Sequence, residues 1–483
     1  MSEPSTHDLS ASTADAAGQF AEFVSNFDLN SVPKAVTAHA KLCILDAVGI
    51  GLASCNYPFA KTTAAALDEL GGVGAFPVIG FDLHLPQRDA AHLIGTLIHG
   101  LDFDDTHSEA VVHTSASMVP TMLTAGLAND CDGPAALSAF IIGSECASRI
   151  GAAARGGFHE KGFHPTGVVG AFGSALSAGY LYGLNRNQLK DAQGIVLSKA
   201  AGSMQFLDDG AWTKRNHPGW ASVCAQTAVV MAKHGFFGPR EPYFGRFGLF
   251  SAHTQEGSAI NVGKLTDRLG EQWEMLNIAF KPYPACHMTH AFADATIQLK
   301  RKHLLVGEDV NSIVAYVHPN EIPVICEPAR HKLRPQNSYD AQFSINYVIA
   351  AAFLREEFGL AELEDKVLDD PDILNFCAKV SYEPDPQSAY PEYFSGAIDI
   401  HTKDGRLLHH REQMNRGSVG NPMSGSDIKA KYLDNANRTI STKDAKRLMQ
   451  LVLNLEHEHG LKTLTDALRK TDKNLETKHV NVR

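Results

Sequence analysis

Apolar residues recur at intervals of three and four through the first part of the chain, which is the spacing of one helix face. The segments VPKAVTAHAKLCILDAVGIGLAS, DAAHLIGTLIHGLDF and PAALSAFIIGSECASRIGAAA all show this spacing. Several helical segments are rich in glycine, alanine and serine, as in TGVVGAFGSALSAGYLYGL, and such small residues let helices approach closely. The pattern predicts that residues 17–275 are mostly helical.

The pattern changes near residue 276, where apolar and polar residues begin to alternate as they do in strands. NSIVAYVHPNEIPVI and FCAKVSYEP alternate in this way. GAIDIHTKDGRLLHHRE consists of two short runs around Asp404-Gly405, which is a strong signal for a hairpin. Between them, YDAQFSINYVIAAAFLREEFG has the spacing of an amphipathic helix. These segments predict a small α+β unit.

Helical spacing returns at the end of the chain, in SDIKAKYLDNAN, STKDAKRLMQLVLNLE and GLKTLTDALRK. These helices could form a third unit, but it is more economical for them to fold back onto the N-terminal helices. The predicted fold is therefore mainly α and has two domains. A large all-helical domain is built from residues 1–275 and 411–483, and a smaller α+β lid domain is formed by residues 276–410.

Composition and charge exclude several classes of protein. The chain is 44% hydrophobic and 20% charged, as is common for soluble globular proteins. Its net charge of −11 offers no electrostatic footprint for nucleic acid or an anionic membrane, so an anionic substrate would need local cationic groups. The polar start MSEPSTHDLSASTADAAGQF lacks the apolar core of a secretory signal, and no membrane span is expected. A cytoplasmic location is predicted.

No motif indicates a nucleotide, an iron–sulfur cluster or a zinc ribbon. The eight cysteines form no CxxC or CxH pair. GGVGAFPVIG places Pro77 where the third glycine of a dinucleotide fingerprint belongs, and no GxxxxGK[ST] motif occurs. We therefore expect no nucleotide, iron–sulfur cluster or zinc ribbon.

A catalytic metal is an alternative that the histidines keep open. The zinc signature HExxH is absent, so the prediction is that no metal is bound. The candidate ligands under the alternative are His107, His113 and Asp104 or Asp105, and also His287 and His290, which lie three residues apart on one helix face.

Histidines and lysines concentrate in four stretches, each of which leads into an apolar helix. They are DFDDTHSEAVVHTSASMVPTMLTAG, EKGFHPTGVVGAFGSALSAG, WTKRNHPGWASVCAQTAVVMA and KPYPACHMTHAFADATIQL. A helix start presents unpaired N–H groups and a partial positive charge, which favour carboxylates. Lys214, Arg215 and Lys281 add local cations. If the stretches converge, they form a pocket for a small polycarboxylate, lined by histidines with pKa values near neutrality.

Each of these residues also has a structural explanation. A histidine beside a helix start often caps that helix. The acidic residues of the first stretch could form a solvated loop. We favour this interpretation for Glu109 and leave it open for Asp104 and Asp105. Cys286, next to His287, is more often a packing residue than a nucleophile. The recurrence of histidine in all four stretches favours a functional site.

In their order, these motifs resemble the MmgE/PrpD family, which includes 2-methylcitrate dehydratase, cis-aconitate decarboxylase and iminodisuccinate epimerase. The resemblance runs from LCILDAVGIGLAS through HGLDFDDTH, GFHPTGVVGAFGSA, TKRNHPG and KPYPACHMTHAFADA to RPQNSYDAQFSINY and NPMSGSDIKAKY. It implies a helical domain formed from both chain ends, an α+β lid, a homodimer, and catalysis without metal or organic cofactor. The HSEA stretch looks closer to fungal-type cis-aconitate decarboxylases than to the animal type, and PrpD-type dehydratases lack this form.

The resemblance also implies site residues. Carried over position by position, it implies catalytic roles for Asp102, His113, His164, Lys214 and His287 and places Thr106 in the same site. With the other cations and histidines of the four stretches, the predicted substrate-binding residues are Thr106, His107, Arg215, His217, Lys281 and His290.

The predicted function is a cofactor-independent lyase that moves a proton next to a carboxylate of its substrate. Lys214 would hold carboxylates and stabilise an enolate-like intermediate. His113 or His164 would be the general base or acid, and Asp102 would orient a histidine or hold Lys214. The leading reactions are those of cis-aconitate decarboxylase and 2-methylcitrate dehydratase. Epimerisation of a dicarboxylate such as iminodisuccinate is the alternative, and a metal-dependent hydrolase or a non-catalytic carboxylate-binding protein would be rivals of another class.

Overall fold

The computed structural model describes residues 15–208, 210–390 and 393–469. Residues 1–14 and 470–483, which belong to the predicted helical domain, lie outside the described residues, and so does most of the polar stretch MSEPSTHDLSASTADAAGQF. Within the described part the fold is mainly α with a few small sheets, as the hydrophobic spacing predicted.

Long helices dominate the chain up to residue 276. Those of ten or more residues are α1 (Ala16–Ser25), α2 (Lys34–Ser54), α3 (Pro58–Gly71), α4 (Gln87–His99), α5 (Thr114–Ala128), α6 (Gly133–Ala153), α7 (Pro165–Leu181), α8 (Arg186–Leu197) and α9 (Thr213–Lys233). Beyond them lie α10 (His290–His303), α11 (Ile345–Arg355), α12 (Gly425–Ala436) and α13 (Thr442–Leu453).

The C-terminal helices pack on the N-terminal ones. Helix α12 lies against α2, and side chains of α2, α12 and α13 share one hydrophobic cluster. The approach is close enough that a Cβ on Gly49 would lie 2.9 Å from Cδ2 of Tyr432. Glycine at this crossing therefore allows the two ends of the chain to meet.

Helix α2 is long and apolar enough, by length and composition alone, to cross a membrane. However, 67% of its most apolar window is buried inside the protein. Its second half also carries a buried acid, Asp46, which bonds Lys431 of α12. The high hydropathy of α2 is thus that of a core helix.

A close crossing of α4 and α9 positions the chemically interesting residues. A Cβ on Gly95 would lie 2.5 Å from Cα of Gly219, so the two backbones nearly touch. Helix α7 packs against both α6 and α9. This packing brings the end of α4 near the beginnings of α5, α7 and α9, where the histidines and lysines of the sequence motifs lie.

Residues 310–412 contribute a four-stranded sheet. Its strands are β5 (Val310–Val317), β6 (Val380–Pro384), β7 (Gly396–Thr402) and β8 (Leu407–Glu412), in the order β6-β5-β7-β8. Strands β5 and β6 are parallel, whereas β7 is antiparallel to both β5 and β8. The predicted hairpin forms between β7 and β8, and Gly405 takes the left-handed φ of 89° that the turn requires. Helices α10 and α11 share a separate hydrophobic cluster with this sheet.

The helical part also contains short strands, although it was predicted to consist of helices alone. Strand β1 (Phe76–Pro77) pairs with β2 (His84–Leu85), and β3 (Thr106–His107) pairs with β4 (Ile278–Ala279). Each strand is only two residues long, too short to show a period of two in the sequence. The second pair joins the start of the predicted lid range to the DFDD region.

Candidate active site

Asp102 lies in the loop between α4 and β3 and binds two lysines at once. Its φ of 50° is left-handed, a conformation that Asp adopts more readily than most residues. Lys214, in the first turn of α9, places its Nζ 2.7 Å from Asp102 Oδ1. Lys281, which follows β4, places its Nζ 2.8 Å from the Asp102 carbonyl oxygen and 3.1 Å from Oδ1. Three of the sequence motifs therefore meet at one carboxylate.

This ion-pair cluster is buried, so its charges interact strongly. The side chains of Asp102 and Lys281 are only 6% and 3% exposed. Burial alone would raise the pKa of the Asp102 carboxyl, but Lys214 and Lys281 hold that pKa well below its usual range. Asp102 in turn raises the pKa of Lys214 despite its burial. Both lysines therefore offer positive charge within a site that largely excludes water.

Three histidines converge beside this cluster. His99 ends α4, His113 immediately precedes α5 and His164 immediately precedes α7. One ring nitrogen of each lies within 4.8 Å of the others. The ring of His99 stacks on that of His164 with centroids 5.4 Å apart, and it lies 4.8 Å from that of His113. Neither His113 nor His164 uses its side chain to cap its helix, so the capping interpretation is wrong for both.

Local hydrogen bonds orient two of the three rings. His99 Nδ1 lies 2.8 Å from Asp104 Oδ2. His113 Nδ1 lies 2.9 Å from the carbonyl oxygen of Asp105 and 3.2 Å from Oγ1 of Thr106. Because a carbonyl only accepts, His113 donates from Nδ1 and keeps Nε2 as an acceptor. Thr106 therefore lies beside the histidine cluster and helps to orient His113.

His164 pairs with another imidazole. Its Nδ1 lies 3.0 Å from Nδ1 of His217, so one of the two rings donates to the other. Burial lowers the pKa of His217 to about 4 and that of His113 to about 3, and it lowers the pKa of His164 well below its usual value. The expectation of pKa values near neutrality is wrong for these rings, because they are desolvated, and they are uncharged at neutral pH.

The acidic residues of the DFDD segment are buried. Asp104 is 0% and Asp105 1% exposed, so the alternative of a solvated loop is wrong for both. Burial would raise the pKa of Asp104, but His99 and His113 hold it at about 2. Burial raises the pKa of Asp105 to about 7, although its carboxylate accepts hydrogen bonds from the amide and hydroxyl of Ser115. Glu109 is exposed and pairs with Lys264, as a solvated residue would.

His287 and His290 lie at the start of α10. Nε2 of His287 accepts a hydrogen bond from Nδ2 of Asn415 at 2.9 Å, and its ring stacks on Phe394. His290 Nε2 lies 3.1 Å from the carbonyl oxygen of Ala285. Burial lowers the pKa of His290 to about 3 and that of His287 well below its usual value. Nδ1 of each ring is buried and has no partner among the described residues.

The structure directs His107 away from this cluster. Its Nε2 lies 3.0 Å from Glu274 Oε2, and its Nδ1 accepts the amide hydrogen of Ala110 at 3.2 Å. Both ring nitrogens are thus engaged in holding the loop and β3. The sequence alone could not show this, because Glu274 lies 167 positions further along the chain.

Arg215 lies at the edge of the ion-pair cluster around Asp102. Its Nε donates to the carbonyl oxygen of Gly100 at 2.8 Å, and its guanidinium lies over the rings of Phe59 and Tyr339. Nη1 of Arg215 and the hydroxyl of Tyr339 are buried without a partner in the described part of the chain. Tyr339 was missed as a candidate, although it lies in the quoted motif RPQNSYDAQFSINY. His99 and Asp104 were also not chosen as catalytic residues, although both lie in HGLDFDDTH.

The structure bears on two alternative chemistries, a cysteine nucleophile and a metal site. Burial raises the pKa of the Cys286 thiol to about 11, so this cysteine carries little thiolate at neutral pH. In the described residues, the ligand set proposed around His107 does not assemble, whereas His99, His113 and His164 are spaced closely enough to hold a cation. The positive charges of Lys214 and Lys281 act on His113 and would oppose a cation there. Taken together, fixed positive charge beside uncharged imidazoles suits proton transfer next to a carboxylate.

The chain is similar to known proteins over most of its length. The model of the MmgE/PrpD N-terminal domain matches residues 18–259, and that of the MmgE/PrpD C-terminal domain matches residues 283–457. The chain is 26% identical to the cis-aconitate decarboxylase of Mus musculus over 93% of this chain and 92% of that protein. It is 26% identical to the cis-aconitate decarboxylase of Aspergillus terreus over 93% of this chain and 95% of that protein. It is 24% identical to the 2-methylcitrate dehydratase of Escherichia coli K12 over 89% and 92%.

Proposed function

Because this chain belongs to the MmgE/PrpD family and is a lyase of that family, we propose that it decarboxylates a small unsaturated polycarboxylate of the cis-aconitate class. The observation that carries this proposal is the pair of lysines, Lys214 and Lys281, held on one carboxylate beside three histidines. The similarity to cis-aconitate decarboxylases over nearly the whole chain supports it.

The lysines supply the local positive charge that an anionic substrate requires in a protein of net charge −11. A substrate carboxylate could displace Asp102 from the two lysines or share the lysines with it. It would then contact two ammonium groups in a buried site, where Coulomb attraction is several times stronger than in water. The same ammonium groups would stabilise the negative charge that spreads onto the remaining carboxylates as carbon dioxide leaves. A histidine would then deliver a proton to the carbanion.

Dehydration of a 2-methylcitrate-like hydroxy acid is the second candidate. Nε2 of His113 is an acceptor in an uncharged ring, and such a nitrogen can remove a proton from a carbon next to a carboxylate. The similarity to 2-methylcitrate dehydratase of Escherichia coli K12 supports this candidate. Both reactions pass through a carbanion next to a carboxylate, so one arrangement of lysines can serve either.

A cytoplasmic location, a homodimer and the absence of a cofactor stay predictions. So does the division into a helical domain and a lid domain. The roles given to individual site residues are part of the proposal.

Proton NMR of the chelator-treated protein in D₂O tests the function directly. We would offer cis-aconitate, 2-methylcitrate, citrate and iminodisuccinate in turn. Deuterated itaconate from cis-aconitate is the expected result, and an unsaturated acid from 2-methylcitrate would favour the dehydratase. Deuterium exchange without net conversion would favour an epimerase. If none of the acids reacts, a carboxylate-binding protein becomes the better explanation.

Lys214→Met provides the matching variant. We expect it to reduce kcat/KM by about 100-fold or more, the usual effect of losing a group that stabilises developing charge. Lys233→Met is the control, because Lys233 is an exposed lysine at the other end of the same helix, α9. Equal activities of the two variants would contradict the role given to Lys214.

A further inference from the structure

We propose that His99, oriented by Asp104, is the catalytic acid that protonates the substrate carbanion. This inference rests on the proposed decarboxylation and deepens it. Neither residue was a catalytic candidate on sequence grounds, since His99 fits the apolar spacing of α4 and Asp104 lies among four acids.

The His99–Asp104 pair has the geometry of an oriented acid–base group. Nδ1 of His99 lies 2.8 Å from Oδ2 of Asp104, and both side chains are fully buried. Asp104 is held as a carboxylate, which can only accept, so His99 donates from Nδ1. Nε2 of His99 is buried and has no partner among the described residues. Nε2, the nitrogen that could exchange a proton with a substrate, thus has no hydrogen-bond partner, while Nδ1 on the other side of the ring is held by Asp104.

The partners of the three converging rings distinguish His99 from the other two. Asp104 Oδ2 is 2.8 Å from His99 Nδ1 but 3.7 Å from His113 Nδ1. The close partner of His113 is an uncharged backbone carbonyl, and that of His164 is the imidazole of His217. A carboxylate at hydrogen-bond distance stabilises an imidazolium far more than either uncharged group does. Of the three rings, His99 is therefore best placed to carry the proton.

His99 also lies close enough to Asp102 for a proton on its ring to lower the pKa of the Asp102 carboxyl. It is three residues from Asp102, the anchor of Lys214 and Lys281, and its ring stacks on His164. The last residue of α4 and the loop that follows thus place the acid next to the lysine pair.

The step balances as a simple transfer. The bond between a substrate carbon and its departing carboxylate breaks, carbon dioxide leaves, and the electron pair passes into the conjugated carbanion. A new C–H bond forms as the Nε2–H bond of the His99 imidazolium breaks. The now neutral ring takes a proton from water before the next cycle, so one proton is consumed for each carbon dioxide released.

The test compares His99→Gln with wild type on cis-aconitate in D₂O. We expect kcat to fall by about 100-fold or more, the usual contribution of a positioned acid, with KM changed less than threefold. We also expect deuterium in the product to be distributed over both faces of the protonated carbon, because water replaces a fixed donor. A merely structural role would leave the face of deuteration unchanged. Unchanged kcat and a single labelled face would overturn the proposal.

Two further variants guard against simple misfolding. Asp104→Asn keeps the imidazole and removes the carboxylate, so kcat should fall at least tenfold without a matching change in KM. His39→Gln is the control, since His39 is a partly buried histidine of α2 whose Nε2 lies 2.9 Å from the carbonyl oxygen of Ile278, outside the converging rings. Its kcat should stay within twofold of wild type. If Asp104→Asn behaves like His39→Gln, Asp104 does not orient a catalytic acid.

Failure of this inference can be told apart from failure of the proposed function. If wild type converts none of the acids, the function is wrong. The Nδ1–H proton of His99 still reports on the pair, because it should give a far-downfield NMR signal that Asp104→Asn removes. If wild type decarboxylates and His99→Gln is equally active, only the role of His99 is wrong. A chelator could also abolish wild-type activity, and Zn²⁺ could restore it. That result would indicate that His99 is a metal ligand and would overturn the proposal.

Discussion

The ammonium of Lys214 lies 2.7 Å from the carboxylate of Asp102, although 112 positions of sequence separate the two residues. Lys281 reaches the same carboxylate from a third part of the chain. A single buried anion thus holds two cations in place. Because one buried anion neutralises two cations, removing it should lower the stability of the folded protein.

Asp102→Asn should destabilise the protein strongly. Asparagine preserves the shape of the side chain and tolerates the left-handed backbone, but it leaves two buried ammonium groups without a counter-charge. We expect the free energy of unfolding to fall by about 3–5 kcal/mol, the usual effect of breaking a buried ion pair by removing one partner. Urea denaturation followed by circular dichroism measures the change.

Glu109→Gln is the matched control for that loss. Glu109 also pairs with a lysine, Lys264, but both side chains are substantially exposed. Removing this charge should change the free energy of unfolding by no more than about 1 kcal/mol, because surface ion pairs are screened by water and salt. Similar denaturation midpoints for the two variants would show that the Asp102 cluster contributes no special stability.

Asp105 should make stability fall as pH rises from about 4 to about 7. Burial raises the pKa of this carboxyl to about 7 in the folded chain, above the value near 4 of an unfolded one. The folded state therefore binds more protons than the unfolded state in this interval. The contribution of Asp105 is fully present below the unfolded pKa and is lost as pH rises through the folded pKa.

Asp105→Asn isolates this effect from the other titrating groups. The amide has no proton to lose, so the variant should gain stability relative to wild type by about 2 kcal/mol between pH 5 and pH 8. Urea titrations of both proteins at the two pH values give the difference. A difference that does not depend on pH would mean that Asp105 is ionised in the folded protein throughout.

Removal of metal ions should leave turnover of the substrate unchanged. The lysine pair already supplies the positive charge that a metal ion would contribute, and that charge opposes a cation at His113, which has no carboxylate within hydrogen-bond distance. Dialysis against EDTA, followed by metal analysis and the NMR assay, tests this expectation. Loss of activity together with about one equivalent of metal in the untreated protein would favour the metal-dependent hydrolase instead.

Ligand binding should slow hydrogen exchange in residues 276–410 if this range acts as a lid. Lys281 and His287 both belong to it, and Lys281 contacts Asp102 of the helical part. A ligand that bridges the two parts would reduce local opening. Exchange that is the same with and without substrate would mean that the predicted lid does not respond to it.

Sequence by itself determined much about this protein. The spacing of apolar residues predicted the mainly helical fold, and Asp404-Gly405 predicted the hairpin that forms between β7 and β8. The order of the histidine motifs indicated the family. These features are readable because helical period, turn chemistry and motif order depend on neighbours within a few residues.

Tertiary structure alone decided which of the candidate side chains lie together. In the sequence His99 is one more residue of a helix, and only the fold places Asp104 at its Nδ1. His107 was predicted to bind substrate or a metal, and only the fold shows that its Nε2 contacts Glu274. Burial, which sets the charge of each imidazole and carboxyl, depends on contacts between helices far apart in the chain. The residue types were therefore available from the sequence, whereas their partners and protonation states came from long-range packing.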